Sequence, residues 1–185
     1  MAFTKAVTAP RRAMAAATAG SCLMLALTAC DDKAVAIPGT ICGTPISPTL
    51  AEPLLRPRGK IVEASLVEQP RPGLMPCDVL VDGKPALTIR FGFHDGLPAD
   101  LLVRSRESTI VGLTDPVRVD LGFEDSVLGN EGAAATAPCK TAGGDHFTFK
   151  MKVDRANPLK RDLRPHVEAF TRAYMAETLK TLGCG

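Results

Sequence analysis

The chain has 185 residues, with 22 Lys and Arg against 20 Asp and Glu, and only 4% of its residues are aromatic. This length suits one domain with a sizeable core, and the near balance of charges provides no single-sign field that would attract nucleic acid. The absence of Trp and the presence of only one Tyr argue against base-stacking platforms and aromatic cages for quaternary amines. We therefore expect no nucleic-acid partner.

The N-terminal segment has the pattern of an export signal. Its first 12 residues contain Lys5, Arg11 and Arg12 and no acid, and the 17 residues from Ala13 to Ala29 carry no charge. A basic start, an apolar middle and small residues before a cut are typical of a signal peptide. An uncleaved transmembrane anchor is the alternative, but this run is at the lower limit of the roughly 17–25 residues that span a bilayer and is diluted with small residues.

The apolar run ends in the sequence Leu-Thr-Ala-Cys, from Leu27 to Cys30. An aliphatic residue followed by two small residues and Cys resembles the lipobox of bacterial lipoproteins. The resemblance implies a diacylglyceryl group on the Cys30 sulfur and cleavage after Ala29, and two acyl chains anchor far more firmly than one. We predict a signal peptide over residues 1–29 and an acylated, palmitate-type anchor that holds the protein on the extracytoplasmic face of the cell membrane. Plain secretory cleavage with a free thiol is the alternative.

Removal of residues 1–29 leaves 156 residues with 19 bases and 20 acids, because three bases and no acid lie in the leader. Residues 30–40 are predicted to form a tether and residues 41–185 a single extracytoplasmic domain. An even number of thiols in an exported chain predicts two disulfides. The four cysteines concerned are Cys42, Cys77, Cys139 and Cys184. They form no Cys-x-x-Cys pair, so neither a zinc site nor a redox dithiol is expected.

The domain begins with a predicted helix and strand. Ser47-Pro48 is a favourable helix start, and Pro57 with Gly59 a stop, so we predict a short N-terminal helix between them. Residues 60–67 are predicted to form a strand, although their alternation is imperfect.

The clearest hairpin lies between residues 77 and 93. Apolar residues alternate in 77–81 and again in 87–93, and Asp82-Gly83 between them supplies a two-residue turn. This period of two predicts an antiparallel sheet with one buried and one solvated face.

The second half of the domain contains further strand patterns. Residues 117–123 and 145–153 alternate as strands do, and the small residues of 133–139 suit a strand beneath a helix. Residues 125–132 are predicted to be a loop, and residues 98–107 fit either a short helix or an irregular crossing.

A C-terminal amphipathic helix is predicted from Arg164 to Leu182, with Gly183 at its end. Its apolar stripe consists of Leu163, Val167, Phe170 and Tyr174. The elements together predict an α+β fold, in which an antiparallel sheet of about five strands carries this helix and the short N-terminal helix on one face.

The predicted lengths favour one of the three pairings that four cysteines allow. The last strand spans about 30 Å and the C-terminal helix about 28 Å. If the helix folds back along the strand, its end returns to the turn beside Cys139. We therefore predict the pair Cys139–Cys184, which leaves Cys42–Cys77.

The cysteines and their neighbours also resemble a known group. The pattern is Cys42-Gly43, then Cys77 to Lys84 with the sequence Cys-Asp-Val-Leu-Val-Asp-Gly-Lys, then Pro138-Cys139 and a terminal Cys184. It resembles a group of small exported actinobacterial lipoproteins of unknown activity and covers most of the mature domain. The resemblance implies a four-cysteine fold and indicates no activity.

His94-Asp95 is the one candidate for chemistry. A histidine beside an acid, directly after a strand and before a Gly-Leu-Pro loop, suits a catalytic or metal-binding pair, although a solvated hairpin end explains it equally. His146 is expected on an exposed polar face and His166 on a half-buried helix surface. We assign no catalytic residue, metal ligand or cofactor.

We therefore predict a binding or interaction module of the cell envelope that lacks a recognisable reaction motif. Its partner, an envelope protein or polymer, is not identified by the sequence. The alternative is an extracytoplasmic hydrolase with a site near His94 and Asp95.

Overall fold

A seven-stranded antiparallel sheet is the centre of the fold. The computed structural model describes residues 36–56, 59–65, 77–98, 100–108, 111–154 and 163–184. The predicted signal peptide, the predicted anchor at Cys30 and most of the predicted tether lie outside these residues.

The elements in chain order are β1 (Thr40–Ile41), β2 (Thr44–Pro45), α1 (Pro48–Leu55), β3 (Ile61–Ser65), β4 (Cys77–Val81), β5 (Lys84–His94), α2 (Leu101–Glu107), β6 (Val117–Arg118), β7 (Asp125–Leu128), β8 (Gly132–Thr141), β9 (Gly144–Val153) and α3 (Arg164–Leu182). The sheet has the order β3-β4-β5-β9-β8-β7-β6, and β1 and β2 form a separate two-stranded ribbon. The prediction of an α+β fold with an antiparallel sheet and a C-terminal helix is confirmed, but the predicted strand number of about five was too low.

The error lies between residues 117 and 128. Only Val117 and Arg118 of the predicted strand pair in the sheet, and the segment predicted as a loop contains β7. Gly122 has a φ of 82°, and the Asp120 carboxylate accepts a hydrogen bond from its backbone N–H, so the chain turns here. Leu121 is buried within this turn. The apolar alternation of this segment therefore comes from side chains that are buried in a turn, and not from an extended strand.

One face of the sheet is closed by α1 and α3 around an aromatic core. Phe149 and Tyr174 have ring centroids 5.1 Å apart, and Phe170 and Tyr174 have theirs 5.2 Å apart. The alanines of β8 leave space for α3, as their small size predicted. The buried Tyr174 hydroxyl donates a 2.9 Å hydrogen bond to the carbonyl oxygen of Ile41, and its burial raises the pKa of the phenol. This face is called the α3 face below.

Two disulfides brace the α3 face. Cys42 is bonded to Cys77 and Cys139 to Cys184, with Cα–Cα distances of 5.7 Å and 5.0 Å. These are the pairs predicted from the sequence. The second bridge ties the chain just beyond Gly183, where α3 ends with a φ of 72°, to β8.

The opposite face, called the α2 face below, is partly covered by a third helix. Asp100 caps α2 by accepting hydrogen bonds from the backbone N–H groups of Leu102 and Val103. Leu101 packs with Val127 and other apolar residues in a second, smaller cluster. The expectation of two helices on one face and solvent on the other is therefore corrected, because residues 101–107 adopt the helical alternative and cover part of the second face.

Candidate functional site

A pocket of about 390 Å³ lies between the α2 face of the sheet and α2. We call it the α2 pocket. The side chains that line it through polar or apolar contact include Arg90, His94, Leu101, Arg104, Ser108, Val111, Thr148 and Lys150. Its volume falls within the range of small-molecule sites, which is roughly 300–1,000 Å³.

The floor of the α2 pocket is set by the pairing of β5 with β9. In this register Arg90 lies opposite Lys150, and His94 opposite His146. Side chains alternate across a strand, so all four are on the same face as α2. Arg90, His94 and Lys150 line the floor of the pocket, on the face of the sheet that was predicted to be solvated.

Gly92 leaves the middle of this floor open. It is paired with Thr148 and lies between Arg90 and His94 along β5. A Cβ added to Gly92 would meet no heavy atom within 4 Å, and its φ is compatible with other residues. A larger side chain at this position would therefore occupy the pocket without straining the strand.

Basic side chains line one side of the α2 pocket. Arg90 is compensated by Asp78, with an Nη1–Oδ1 distance of 3.0 Å. Burial lowers the pKa of Lys150, and the charge of Arg104 lowers it further. Within the described part of the chain, neither Lys150 nor Arg104 has an acidic side chain within ion-pair distance. Two cations on the wall of one pocket therefore lack a counter-ion among these residues.

His94 is fixed at the other side of the pocket by both ring nitrogens. Nδ1 lies 2.7 Å from the carbonyl oxygen of Gly96, which only accepts, so Nδ1 donates. Nε2 lies 2.6 Å from the Thr148 hydroxyl, which in turn lies 2.8 Å from the Thr136 hydroxyl. With a neutral imidazole, Thr136 donates to Thr148 and Thr148 donates to His94. Both ring nitrogens of His94 and the hydroxyl groups of Thr148 and Thr136 then take part in hydrogen bonds.

The ring of His94 stacks on that of His146, with centroids 5.9 Å apart and planes 10° apart. His146 Nδ1 lies 2.6 Å from Asp145 Oδ1, and Nε2 lies 3.0 Å from Glu124 Oε2. Because both partners are carboxylates, the protonated ring can donate to both. The hydrogen bond to Asp145 is the main cause that raises the pKa of His146, and the same bond lowers the pKa of Asp145.

Backbone geometry ties this end of β9 to the end of β5. The Asp145 carboxylate also accepts a 2.6 Å hydrogen bond from the Gly96 backbone N–H. Gly144 has a φ of 144°, and a Cβ there would overlap the backbone of His94. The close approach positions His94 and His146 together, and His94 also lines the pocket.

The predicted pair His94–Asp95 is not brought together. Asp95 is exposed, and the two ring nitrogens of His94 are taken by Gly96 and Thr148. His166 lies on α3, across the sheet. No group of three or more His, Cys, Asp or Glu side chains in the described residues is placed to hold a metal ion.

Sequence reasoning missed the convergence of Lys150 and Arg104, and the hydroxyl chain from Thr136 to His94. Two signals pointed to them. Arg90 and Lys150 occupy the polar positions of well-alternating strands, and Gly92 interrupts one of those strands without a turn.

Comparisons of the chain with models of known families, with curated proteins and with solved structures gave no match. Within the described ranges, no helix combines the length and apolar character that crossing a membrane requires.

Proposed function

We propose that the protein is a lipid-anchored binding module of the cell envelope, which holds a small ligand in the α2 pocket on the extracytoplasmic side of the membrane. The observation that carries the proposal is the pocket itself, because its floor is open at Gly92 and its walls combine apolar and polar side chains. The lipobox-like sequence at Cys30 and the two disulfides support the location, since disulfides persist in oxidising compartments.

The anchor is tested by feeding producing cells an alkyne-labelled fatty acid. The wild-type chain should take up the label and sediment with membranes, whereas the Cys30→Ala variant should do neither. A Cys22→Ala variant is the matched control, because the leader containing residue 22 is removed in the predicted processing. Label that persists in Cys30→Ala would reject the predicted anchor.

The binding role is tested by native mass spectrometry of the full-length protein isolated from its membrane. We expect a non-covalent adduct on the wild-type chain that is lost in Gly92→Leu, because the new side chain fills the floor of the pocket. Gly39→Leu adds the same bulk at an exposed position where a Cβ also meets nothing, and it should keep the adduct. A Gly92→Leu protein that folds and retains the adduct would place the ligand elsewhere.

The hydrolase alternative now depends on a different contact from the predicted pair. His94 Nε2 lies 2.6 Å from the Thr148 hydroxyl, a distance suited to a base and a nucleophile. Thr148 is buried, however, and its hydroxyl also bonds to Thr136. A panel of chromogenic ester and amide substrates tests this function, and turnover that disappears in both His94→Gln and Thr148→Val would favour it over binding alone.

A further inference from the structure

The pairing of β5 with β9 contains a local conflict. Arg90 and Lys150 are direct cross-strand neighbours, and like charges in such a pair destabilise a sheet. Asp78 compensates Arg90 alone. Lys150 remains half-buried without a counter-ion among the described residues, and Arg104 from α2 adds a third positive charge to the same wall. Departures of this kind from local preference concentrate at functional sites.

Other walls of the pocket are apolar. Leu101 and Val111 are buried apolar residues on the α2 side, and the half-buried Pro98 also lines the pocket. Gly92 leaves β5 without a side chain between Arg90 and His94. A ligand that fits this space has a charged end beside Lys150 and Arg104 and an apolar body beneath α2.

We infer that the α2 pocket binds a small amphipathic anion, whose carboxylate, phosphate or sulfonate group is held by Lys150 and Arg104 and whose apolar body packs against Pro98 and Val111. This inference rests on the proposed binding function and specifies the ligand class. The bound anion supplies the negative charge that the described residues do not provide beside Lys150 and Arg104, and the two donors give it charge-assisted hydrogen bonds. A neutral ligand of the same shape leaves both cations uncompensated.

The test uses two matched probes with the full-length protein. The probes are 1-naphthaleneacetate and 1-naphthaleneacetamide, which have nearly the same shape and differ in charge, and binding is measured by isothermal titration calorimetry. We expect the acid to bind at least roughly tenfold more tightly than the amide, as charge-assisted bonds predict. 1-Naphthyl phosphate compared with the acid distinguishes a phosphate from a carboxylate ligand. Inorganic phosphate alone should compete far more weakly than either.

Three variants locate the binding. Lys150→Met should weaken the acid by roughly tenfold and leave the amide within about twofold, since only the charge contact is lost. Lys140→Met removes an exposed lysine on β8 and should change neither probe. Gly92→Leu should abolish binding of both probes, because it fills the pocket for charged and neutral ligands alike.

The outcomes separate this inference from the proposed function. Equal binding of acid and amide, unchanged by Lys150→Met but lost in Gly92→Leu, would overturn the anionic ligand and keep the binding pocket. Competition by inorganic phosphate as strong as that of naphthyl phosphate would overturn the apolar body. Absence of acid binding at millimolar concentration would overturn the inference, and the adduct seen by native mass spectrometry would still decide the function. Binding that survives Gly92→Leu would count against both.

Discussion

The two faces of the central sheet are built for different tasks. The α3 face is filled by aromatic side chains and braced by two disulfides, whereas the α2 face carries a pocket, a chain of hydroxyl groups and two cations for which the described residues provide no counter-ion. Phe149 and Lys150 are adjacent on β9 and point to opposite faces, the first fully buried and the second half-buried. Because side chains alternate, one strand provides stability on one side and a binding surface on the other.

The largest effect is expected on the α3 face, at Phe149. Phe149→Ala removes a fully buried ring that contacts Tyr174 and Phe91, and the cavity should lower the free energy of unfolding by about 3–5 kcal/mol. Urea denaturation followed by circular dichroism measures the change. Phe149→Leu is the control and should cost less, since it leaves most of the volume filled. A loss below about 1 kcal/mol would show that the core does not depend on this ring.

The bridge between Cys139 and Cys184 is expected to come next. Its sequence separation is 45, and replacing both cysteines by Ala should lower the free energy of unfolding by about 2–4 kcal/mol, mainly by freeing the unfolded chain. Reducing agent should have no effect at this position in the double variant, because the bridge is absent. Peptide mapping without reduction checks that absence. A double variant as stable as the oxidised wild type would contradict the bracing role of this bridge on the α3 face.

Two buried threonines compare hydrogen bonding on the two faces. Thr136→Val, on the α2 face, removes the hydroxyl that lies 2.8 Å from Thr148 and should cost about 0.5–1.5 kcal/mol. Thr171→Val, on the α3 face, removes a hydroxyl whose acceptor is the sulfur of Met151 at 3.5 Å, and it should cost less because a thioether is a weak acceptor. Thermal unfolding of both variants gives the comparison. Equal losses of stability in the two variants would mean that the hydrogen bonds of the hydroxyl chain add no stability beyond packing.

The α3 face was far easier to predict from the sequence than the α2 face. Strong periodicity predicted the hairpin of β4 and β5, the strand β9 and the helix Arg164–Leu182 with its observed bounds. Matching lengths of helix and strand then favoured the cysteine pairs. These signals are local, and burial of one apolar stripe on another leaves few alternatives.

The α2 pocket depends on contacts between residues that are far apart in the sequence. The register that places Arg90 opposite Lys150 joins strands far apart in the chain, and each strand alone shows only a polar face. Residues 98–107 are too short to decide between a helix and a crossing, and Asp100 becomes a cap only once α2 forms. The strand containing β6 was predicted too long and β7 was missed, because the turn at Gly122 shows the same apolar alternation as a strand.

Substitution of Lys150 is expected to raise the free energy of unfolding, whereas substitution of its neighbour Phe149 lowers it. Lys150→Met should raise the free energy of unfolding of the ligand-free protein by about 0.2–1 kcal/mol, since it relieves the like-charge pair with Arg90 and keeps the side chain's apolar volume. Lys140→Met, which is exposed on β8, should change it little. Thermal unfolding in ligand-free buffer measures both variants. Destabilisation by Lys150→Met would show that the lysine serves the fold and not the pocket.

The smallest effect is expected at the end of the α2 face, where His146 bonds to Asp145 and Glu124, and it is a change in how stability depends on pH. The folded pKa of His146 is raised above its ordinary value of 6.5, so its contribution to stability is complete below that value and is lost as pH rises through the folded pKa. The pKa of Asp145 is lowered from 3.8, so its contribution is present above that value and is lost as pH falls through the folded pKa.

The stability difference between wild type and His146→Gln should therefore be greatest between about pH 4 and pH 6.5 and should shrink on either side. Urea denaturation across this range gives the profile, with His166→Gln on α3 as the control for loss of a histidine. A difference that grows from pH 6 to pH 8 would have the wrong sign, and it would mean that the His146–Asp145 bond does not stabilise this end of the α2 face.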